Sequence, residues 1–386
     1  MIGLLTCFEH HNYGSMLQAY ATEIAMEKLG VEYKTIKKRR SRDYMKQPLW
    51  LYMMKKLLVL DYRLWWGKQK IKRAKKQNPT FAENAKLRES YFNDFSSTMF
   101  HTTDFAPKDR TSLEQMALEF DGFLVGSDQL WRTDSIEHGF TTMEWVPDDK
   151  LKVAYSTSMG VTKVPCWQRK KARRFMNRFH HIALREQSAC DIVKDLTGRE
   201  VPVVLDPTLL LTAEEWLSIQ QPDPILKGDY ILVYLLGNNP WQRDLIKEMK
   251  KRTGLKIVAL QHLDEYIPSD EGFADEALYA VGPKEWLNLI RHARYVFTDS
   301  FHCSVFSILY HKEFFSFNRF SATQSQNTNT RIDNLLSLTG LLSRRVNRTM
   351  SIDDLLTISS DFSDVEKRLE EKRLFSMNYL KQALNK

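Results

Sequence analysis

The stretch YVFTDSFHCS, residues 295–304, joins a short apolar strand to a polar segment that leads into an apolar helix. Asp299, Ser300 and His302 follow the predicted strand 295–298, and the apolar run 305–310 comes next. In α/β proteins a parallel strand carries polar side chains to its carboxyl end, where ligands bind. The stretch therefore predicts an α/β fold with a functional edge around residues 299–302.

The same alternation of strand-length apolar runs with longer helical patterns extends along most of the chain and predicts parallel sheets. The predicted strands are 2–7, 31–36, 122–125, 153–156, 182–184, 201–205, 230–236, 255–260, 295–298 and 314–317. The clearest predicted helices are 15–29, 167–178, 187–196, 240–253, 283–291 and 363–384.

A polar stretch with two prolines and a glycine, between Thr208 and Asp229, interrupts this pattern. Domain boundaries fall in such segments. We predict an N-terminal domain over 1–208 with a helical insertion at about 37–95, a C-terminal domain over 209–360, and a terminal helix over 361–386 that packs back across the domains. Two α/β halves of similar size imply a cleft between them.

The composition is that of a folded protein, since 43% of the 386 residues are hydrophobic and 27% are charged. The chain has no run of about 20 apolar residues, and its first residues lack the features of a signal peptide. We therefore expect a cytoplasmic protein. The four cysteines show neither a disulfide framework nor zinc-ligand spacing, and no residue pattern predicts another metal site.

Positive charge is concentrated in one segment. Between Lys37 and Lys76 there are 15 Lys or Arg against two acids, a local charge of +13, so the rest of a chain with net charge +8 sums to −5. Trp50, Trp65 and Trp66 lie among these cations. Such a composition is typical of a peripheral contact with an anionic membrane. A solvated helical insertion and nucleic-acid binding are the alternatives.

Polar residues also follow the predicted strands of the N-terminal half. Asn12, Gly14 and Ser15 open the first helix, where free amides bind anions or sugar hydroxyls, although an ordinary helix cap is the alternative. Ser127 and Asp128 follow the strand 122–125, with a capped helix start as their alternative.

Two charged residues end later strands. Arg185 is suited to clamping a phosphate or carboxylate, or else it forms an ion pair with Glu186 or Asp191. Asp206 binds substrate or caps a turn before a proline. His302 is suited to proton transfer near neutral pH, with a purely structural role as its alternative.

Taken together, these segments resemble the polysaccharide pyruvyl transferase family, in the family's order and over most of the chain. The matching blocks are NYGS at 12–15 with LQAYA at 17–21, VGSDQ at 125–129 with Trp131, RE at 185–186 with Ser188, DPT at 206–208, TDSFH at 298–302, and RI at 331–332 with LL at 335–336 before Gly340 and Leu341.

The resemblance implies a fold similar to GT-B glycosyltransferases, with two Rossmann-like domains facing a cleft. It implies phosphoenolpyruvate as the donor, a sugar or polyprenyl-diphosphate-linked oligosaccharide as the acceptor, and a pyruvate ketal as the product. The setting is capsule or exopolysaccharide biosynthesis at the inner face of the cell membrane. Neither a cofactor nor nucleic acid is expected to take part.

The resemblance also assigns roles to residues. His302 matches the family's histidine and is the expected general acid, and Arg185 and Arg331 are the expected donor-binding cations. Ser300 stands at the donor position where characterised members often have arginine, and Arg185, Arg331 and Arg319 are the candidate replacements for that charge. The residues expected to line the acceptor side or the cleft are His11, Asn12, Gly14, Ser15, Ser127, Asp128 and Asp206.

Two other functions remain compatible with the sequence. A GT-B-type glycosyltransferase using a nucleotide sugar would share the two-domain cleft, because a fold does not determine function. A non-catalytic protein that binds nucleic acid or another surface through the basic segment is supported by charge alone.

Overall fold

The structure, a computed structural model, describes residues 1–45, 54, 69, 71–73, 76, 79–161, 163–261, 267–319, 330–358 and 361–385. Most of the basic segment 37–76 lies outside these residues, and so does much of the insertion predicted at about 37–95. The proposed membrane contact of that segment stays a prediction.

The described strands are short and mostly buried, since helices cover the faces of parallel sheets. They are β1 Ile2–Leu5, β2 Tyr33–Thr35, β3 Gly122–Val125, β4 Leu151–Thr157, β5 His181–Leu184, β6 Tyr230–Tyr234, β7 Lys256–Leu260, β8 Glu276–Leu278, β9 Tyr295–Thr298, β10 Glu313–Phe317 and β11 Arg345–Val346.

Helices connect these strands. Those described are α1 Tyr13–Lys28, α2 Pro79–Met99, α3 Arg110–Met116, α4 Thr133–His138, α5 Cys166–Met176, α6 Gln187–Thr197, α7 Ala213–Leu217, α8 Pro240–Thr253, α9 Pro283–His292, α10 Phe301–Leu309, α11 Thr330–Thr339, α12 Ile352–Thr357 and α13 Ser363–Leu384. Among the described residues, no helix is both long and apolar enough to cross a membrane.

The first sheet has the strand order β2-β1-β3-β4-β5, and every pairing is parallel. The chain leaves β1 toward β2 on one side and returns to β3 on the other, so the strand order reverses between β1 and β3. Leu5 at the end of β1 pairs with Val125 at the end of β3. Such a reversal opens a crevice at the carboxyl ends of the strands. The segments that follow β1 and β3 therefore meet in this crevice.

The second sheet has the order β11-β10-β9-β6-β7-β8 and is also parallel. Its strand order reverses between β6 and β9, where Tyr234 pairs with Thr298. The residues that follow β9, including His302, lie at this second reversal point. The boundary predicted near residue 208 falls between the two sheets.

Several predicted elements are confirmed to the residue, namely β3, β9, α8 and α13. The strand predicted over 201–205 is wrong, because only a single bridge joins Val203 to Leu184. Pro202 has no N–H group to extend a ladder. Leu184 instead donates to the Pro202 carbonyl and accepts from the amide of Val204.

The terminal helix α13 contacts both halves of the molecule. On the N-terminal side, Ser376 Oγ accepts a hydrogen bond of 3.0 Å from the amide of Leu205, and Arg373 Nε donates to the Leu209 carbonyl at 2.7 Å. On the C-terminal side, α13 packs against α11. The helix thus joins the two halves.

Aromatic side chains also join the halves directly. The Tyr13 ring stacks on Trp286 with 5.1 Å between ring centres and lies 4.8 Å from Phe92. The Tyr13 hydroxyl donates to the Val281 carbonyl at 2.9 Å. Tyr13 is the first residue of α1, so this contact fixes the start of α1 against the second domain.

Arg88 on α2 forms a second connection, and we expect Arg88→Met to lower the free energy of unfolding by about 3 kcal/mol. Its guanidinium, which is nearly inaccessible to solvent, donates to three carbonyls of the C-terminal domain: Gln261 at 2.6 Å, Leu278 at 2.5 Å and Tyr279 at 3.3 Å. The methionine fills similar space but donates to none of them. Urea unfolding measures the change, with the exposed Lys86→Met on the same helix as control. Equal unfolding midpoints for both variants would contradict the prediction.

Candidate active site

Asp206 lies at the centre of a buried polar cluster between the two reversal points. Its Oδ2 accepts hydrogen bonds from Arg185 Nη1 at 2.7 Å and from Ser127 Oγ at 2.8 Å. Its Oδ1 accepts from the amide and the hydroxyl of Thr208, at 3.1 and 2.7 Å. His302 Nε2 lies 3.7 Å from Oδ2. Asp206 therefore caps the turn before Thr208 and also contacts the N-terminal and C-terminal sides of the cleft.

The charges around Asp206 keep it ionised. Burial by itself would raise the pKa of this carboxyl, but contact with His302, the charge of Arg185 and the Thr208 hydrogen bond outweigh burial and hold the pKa well below its usual range. The Arg185 side chain is only 3% exposed, so Asp206 provides the counter-charge that a buried guanidinium requires.

Asp128 forms the N-terminal side of the cluster. Its Oδ2 accepts from Ser15 Oγ at 2.6 Å, and its Oδ1 lies 3.8 Å from Arg185 Nη2. Burial would raise the pKa of Asp128, but Arg185, His302 and Ser15 lower it. Asn12 caps α1 by accepting from the Ser15 amide at 3.1 Å. The cap orients Ser15 toward Asp128, and the binding role of this loop stays a prediction.

His302 reaches the cluster from the first turn of α10 and packs closely against α1. A Cβ atom placed on Gly14 would lie 2.0 Å from Nδ1 and 2.3 Å from Cγ of this imidazole. Glycine is therefore the only residue that allows the approach. The opposite nitrogen, Nε2, is buried and has no hydrogen-bond partner among the described residues. A histidine nitrogen in that state is available to transfer a proton to a substrate.

Arg331, at the start of α11, is the second arginine of the site. Its Cζ lies 5.8 Å from the centre of the Phe301 ring, and the Cζ of Arg185 lies 4.8 Å from the same ring. When the Gln129 amide is oriented with its oxygen toward Arg331, as the hydrogen bonding favours, that oxygen accepts from both terminal nitrogens of Arg331, at 3.0 and 2.9 Å. Burial and the charge of Arg185 lower the pKa of Arg331 to about 9. Within the described residues, no carboxylate forms an ion pair with Arg331.

Ser300 lies at the edge of the cluster, and its hydroxyl accepts from the Cys303 amide at 3.5 Å as the cap of α10. The preceding residue, Asp299, accepts from the amides of Leu236 and Gly237, both at 2.8 Å. Arg319 Nη2 donates to the Asp299 carbonyl at 3.0 Å. An arginine is thus bonded to the residue next to Ser300, on the strand end where the family's arginine is missing.

Two cavities adjoin the cluster. One of about 520 Å³ is bordered by Asp128 and lined by the residues Cys7, Glu9, His10, His11, Asn12, Ser15, Lys38, Gln129, Leu130, Arg132, Ser135, His138, Phe140 and Thr141. The other, of about 340 Å³, is bordered by Arg185 and Asp206 and contains Arg331, Phe301, Asn334 and Lys372 with an apolar floor. The cluster contributes residues to both cavities.

The structure brings most of the predicted site residues together. Each member of the following set contacts at least one other member directly: Gly14, Ser15, Ser127, Asp128, Arg185, Asp206 and His302. His11 lies at the rim of the larger cavity, where its Nε2 is 3.0 Å from Asn93 Oδ1. Arg185 pairs with Asp206 at 2.7 Å and lies 3.8 Å from Glu186, whereas no pair with Asp191 forms. The catalytic and binding roles of these residues stay predictions.

Two residues that belong to the cluster around Asp206 were assigned no role from the sequence. Phe301 separates the two arginines, and its position one residue before His302 was the only available signal. Gln18 on α1 donates to the Ser15 carbonyl at 2.7 Å and accepts from the Ser127 amide at 2.9 Å. Its position one turn after Ser15 on α1 places it on the cleft side of the helix, but polar helix residues usually face solvent.

The two parallel sheets and the cleft between them define an enzyme of the GT-B fold. The structure is similar to that of a candidate UDP-N-acetylglucosamine 2-epimerase from Listeria monocytogenes, with a TM-score of 0.53, 10% identity, and coverage of 98% of this chain and 94% of that one. A family model for polysaccharide pyruvyl transferases matches residues 12–319. The chain belongs to the polysaccharide pyruvyl transferase family and is a transferase.

Two further solved structures match with lower TM-scores. A UDP-GlcNAc 2-epimerase from Methanocaldococcus jannaschii has a TM-score of 0.48 and 12% identity, covering 96% of this chain and 91% of that one. The glycosyltransferase SnogD from Streptomyces nogalater has a TM-score of 0.46 and 10% identity, covering 99% and 98%. No curated protein sequence matches the chain significantly. Identities of this size indicate a shared fold only.

Proposed function

We propose that this transferase moves the pyruvyl group of phosphoenolpyruvate onto two hydroxyls of a sugar and forms a pyruvate ketal. The acceptor in this proposal is a lipid-linked oligosaccharide of capsule or exopolysaccharide biosynthesis. The main support is the presence in one cluster of a buried imidazole, whose Nε2 makes no hydrogen bond to the described residues and lies 3.7 Å from Asp206, and of an arginine that lacks a carboxylate partner among those residues. A proton donor beside an anion site is what this chemistry requires.

The chemistry is redox-neutral and therefore needs no redox cofactor. His302 donates a proton to the methylene carbon of phosphoenolpyruvate, and positive charge develops at the adjacent carbon. One sugar hydroxyl attacks that carbon and loses its proton, the carbon–oxygen bond to phosphate breaks, and inorganic phosphate leaves. The second hydroxyl then attacks the same carbon and closes the ketal. Of the two hydroxyl protons, one restores His302 and the other leaves with phosphate.

The donor carries a phosphate and a carboxylate, and the arginines around Phe301 are suited to bind them. Arg331 forms no ion pair with a carboxylate among the described residues, so an anion bound there would relieve a buried charge that those residues leave unpaired. Arg185 is already balanced by Asp206 and Asp128, and it positions the cluster as much as it binds the donor. Arg319 supplies the further cation near Ser300. The smaller cavity lies beside the first two of these arginines.

The acceptor is assigned to the larger cavity. Its volume of about 520 Å³ accommodates more than one sugar ring, and its lining is rich in side chains that hydrogen-bond to hydroxyls. Asn12, Ser15 and Asp128 form its inner end, next to the cluster that contains His302. A sugar in this cavity would present its hydroxyls toward the donor.

Phosphate release from phosphoenolpyruvate, measured with lipid-linked or synthetic sugar acceptors, tests the proposal. We expect His302→Ala to lower kcat by about 10²- to 10⁴-fold, the usual contribution of a general acid. We expect Arg331→Met to raise the KM for phosphoenolpyruvate by about 10- to 100-fold, because one charged hydrogen bond is lost. His101→Ala is the control, since its side chain is 71% exposed and lies outside the cluster.

Two results would contradict the proposal in different ways. Release that persists in His302→Ala would leave this histidine a packing role only. Stabilisation by a nucleoside diphosphate without any acceptor-dependent phosphate release would indicate a nucleotide-sugar glycosyltransferase, because only a ligand of the native state raises Tm.

A further inference from the structure

The helix α5, Cys166–Met176, presents a strongly basic face to solvent. From Lys150 to Arg185 the chain has ten Lys or Arg and no Asp or Glu. This local excess of positive charge is not apparent from the net charge of −5 that the chain carries outside the segment 37–76. Around the helix, the buried residues Gln168, Ala172, Phe175 and Met176 face the protein. The opposite side, which we name the α5 face, consists of Cys166, Trp167, Lys170, Arg173, Arg174 and Asn177, all exposed.

The cations of the α5 face have no ion-pair partner in the part of the chain that the structure describes. Other basic residues of this region have carboxylate partners: Arg169 pairs with Asp195 at 2.7 Å and Arg178 with Asp148 at 2.7 Å. Within the described residues, Lys170, Arg173 and Arg174 form no ion pair. A charged surface of this kind attracts an anionic partner with little competition from the protein's own acids.

A large aromatic ring lies among these cations. The Trp167 side chain is 45% exposed, although burying an indole is strongly favourable. Tryptophan is enriched where proteins meet the headgroup level of a bilayer, and Lys and Arg beside it interact with anionic lipid. Charge alone would also suit a nucleic acid, but an exposed indole at the edge of a helix face favours a lipid surface.

The α5 face lies close to the proposed acceptor cavity. Gln168 on α5 donates to the Thr133 carbonyl at 2.9 Å and to Glu137 Oε1 at 3.0 Å, so α5 packs directly on the short helix α4. Ser135 and His138 of α4 line the cavity of about 520 Å³. The body of α5 and the helix α4 stand between the exposed face and the cavity, and a helix with its side chains is about 10 Å wide.

We infer that the α5 face docks the protein on an anionic lipid bilayer. Docking there holds the cavity about two helix diameters, roughly 20 Å, from the bilayer surface that carries a lipid-borne acceptor. The link to the acceptor rests on the proposed function, whereas the docking itself does not. The α5 face is formed by residues 166–177 and includes none of the basic segment 37–76, most of which lies outside the described residues.

A single cysteine makes the inference testable on the full chain. Cys166 is exposed at the N-terminal end of the α5 face, next to Trp167, whereas Cys7, Cys190 and Cys303 are buried. A polarity-sensitive maleimide dye therefore labels the face selectively. With vesicles of phosphatidylcholine and 30% phosphatidylglycerol, we expect a blue shift of the dye and quenching by brominated acyl chains. Vesicles of phosphatidylcholine alone are expected to cause neither change.

Charge removal gives an independent measurement. The triple variant Lys170→Gln, Arg173→Gln, Arg174→Gln is expected to bind the anionic vesicles roughly 100-fold more weakly, since each cation near such a surface contributes about five-fold. The matched control removes three exposed lysines of the C-terminal domain, Lys227, Lys247 and Lys251, and is expected to bind like the parent.

Two results with vesicles or DNA would overturn the inference. Vesicle binding with an unchanged dye at Cys166 would assign the contact to another surface. Duplex DNA that shifts the dye and displaces vesicles would make the α5 face a nucleic-acid surface. Phosphate release with a soluble acceptor, measured in the same samples, separates the two proposals: docking without turnover refutes the transferase reaction, and turnover without docking refutes the α5 face.

Discussion

Asp206→Asn is expected to lower the free energy of unfolding by about 3–5 kcal/mol, the range for breaking a buried ion pair from one side. All four groups bonded to this carboxylate are donors: Arg185 Nη1, Ser127 Oγ, and the amide and hydroxyl of Thr208. An asparagine has one oxygen and one NH₂ group. Either the donors from Arg185 and Ser127 or the two donors from Thr208 must therefore face the NH₂ group, which is itself a donor. The substitution also leaves the buried charge of Arg185 without its closest counter-charge.

The measurement is urea unfolding of parent and variant at pH 7, with Asp195→Asn as the matched control. Asp195 also pairs with an arginine, Arg169 at 2.7 Å, but its side chain is 58% exposed. Exposed pairs contribute about 0–1 kcal/mol, and we expect no more from the control. If both variants lost the same free energy of unfolding, the prediction that Asp206 stabilises the buried cluster would be wrong.

The lowered pKa of Asp206 predicts how this difference depends on pH. A carboxyl whose pKa is lower in the folded state stabilises the protein fully above its unfolded pKa, about 3.9. The contribution is lost as the pH falls below that value toward the folded pKa. The gap in unfolding free energy between parent and Asp206→Asn is therefore expected to stay constant from about pH 5 to 8 and to shrink below about pH 4. If the difference in unfolding free energy grew as the pH fell, the pKa of Asp206 would be raised in the folded state and not lowered.

The ends of strands were predictable from the sequence because apolar runs and the polar residues after them are local features. This placed Ser127, Arg185 and His302 correctly at strand ends without any structure. The strand over 201–205 was predicted wrongly for an equally local reason, since the β-branched residues around Pro202 suggest a strand that the missing N–H prevents.

Contacts between distant segments were not predictable. Nothing local indicates that Asp206 bonds to Ser127, 79 residues away, or that Arg88 reaches carbonyls more than 170 residues along the chain. The family resemblance grouped the site residues but did not say which atoms meet. The exposure of the α5 face was equally hidden, because the helical pattern does not show which cations are paired.

Gly14→Ala is expected to lower kcat for phosphate release by about 100-fold or more while the protein stays folded. The added methyl would lie 2.0 Å from His302 Nδ1, far inside van der Waals contact, so the imidazole must move by about 1 Å or more. A displacement of that size at a reacting group costs about 10²-fold in rate. KM for the donor is expected to change less, because Arg331 does not contact Gly14. Phosphate release at saturating phosphoenolpyruvate is the measurement, and an unchanged kcat would exclude a catalytic His302 in this position.

The stability of the same variant gives a test that does not depend on activity. Alanine is favoured over glycine inside a helix by about 1 kcal/mol, but forcing a methyl into a filled space costs about 1–3 kcal/mol. We expect Gly14→Ala to be destabilising in the parent for that reason. In a His302→Ala background the imidazole is gone, the methyl has space, and only the helix preference remains. The same substitution is then expected to be stabilising, and a double-mutant cycle of the four proteins by urea unfolding measures the reversal. If Gly14→Ala has the same effect in both backgrounds, the two residues do not contact each other, and the close packing of His302 on α1 is wrong.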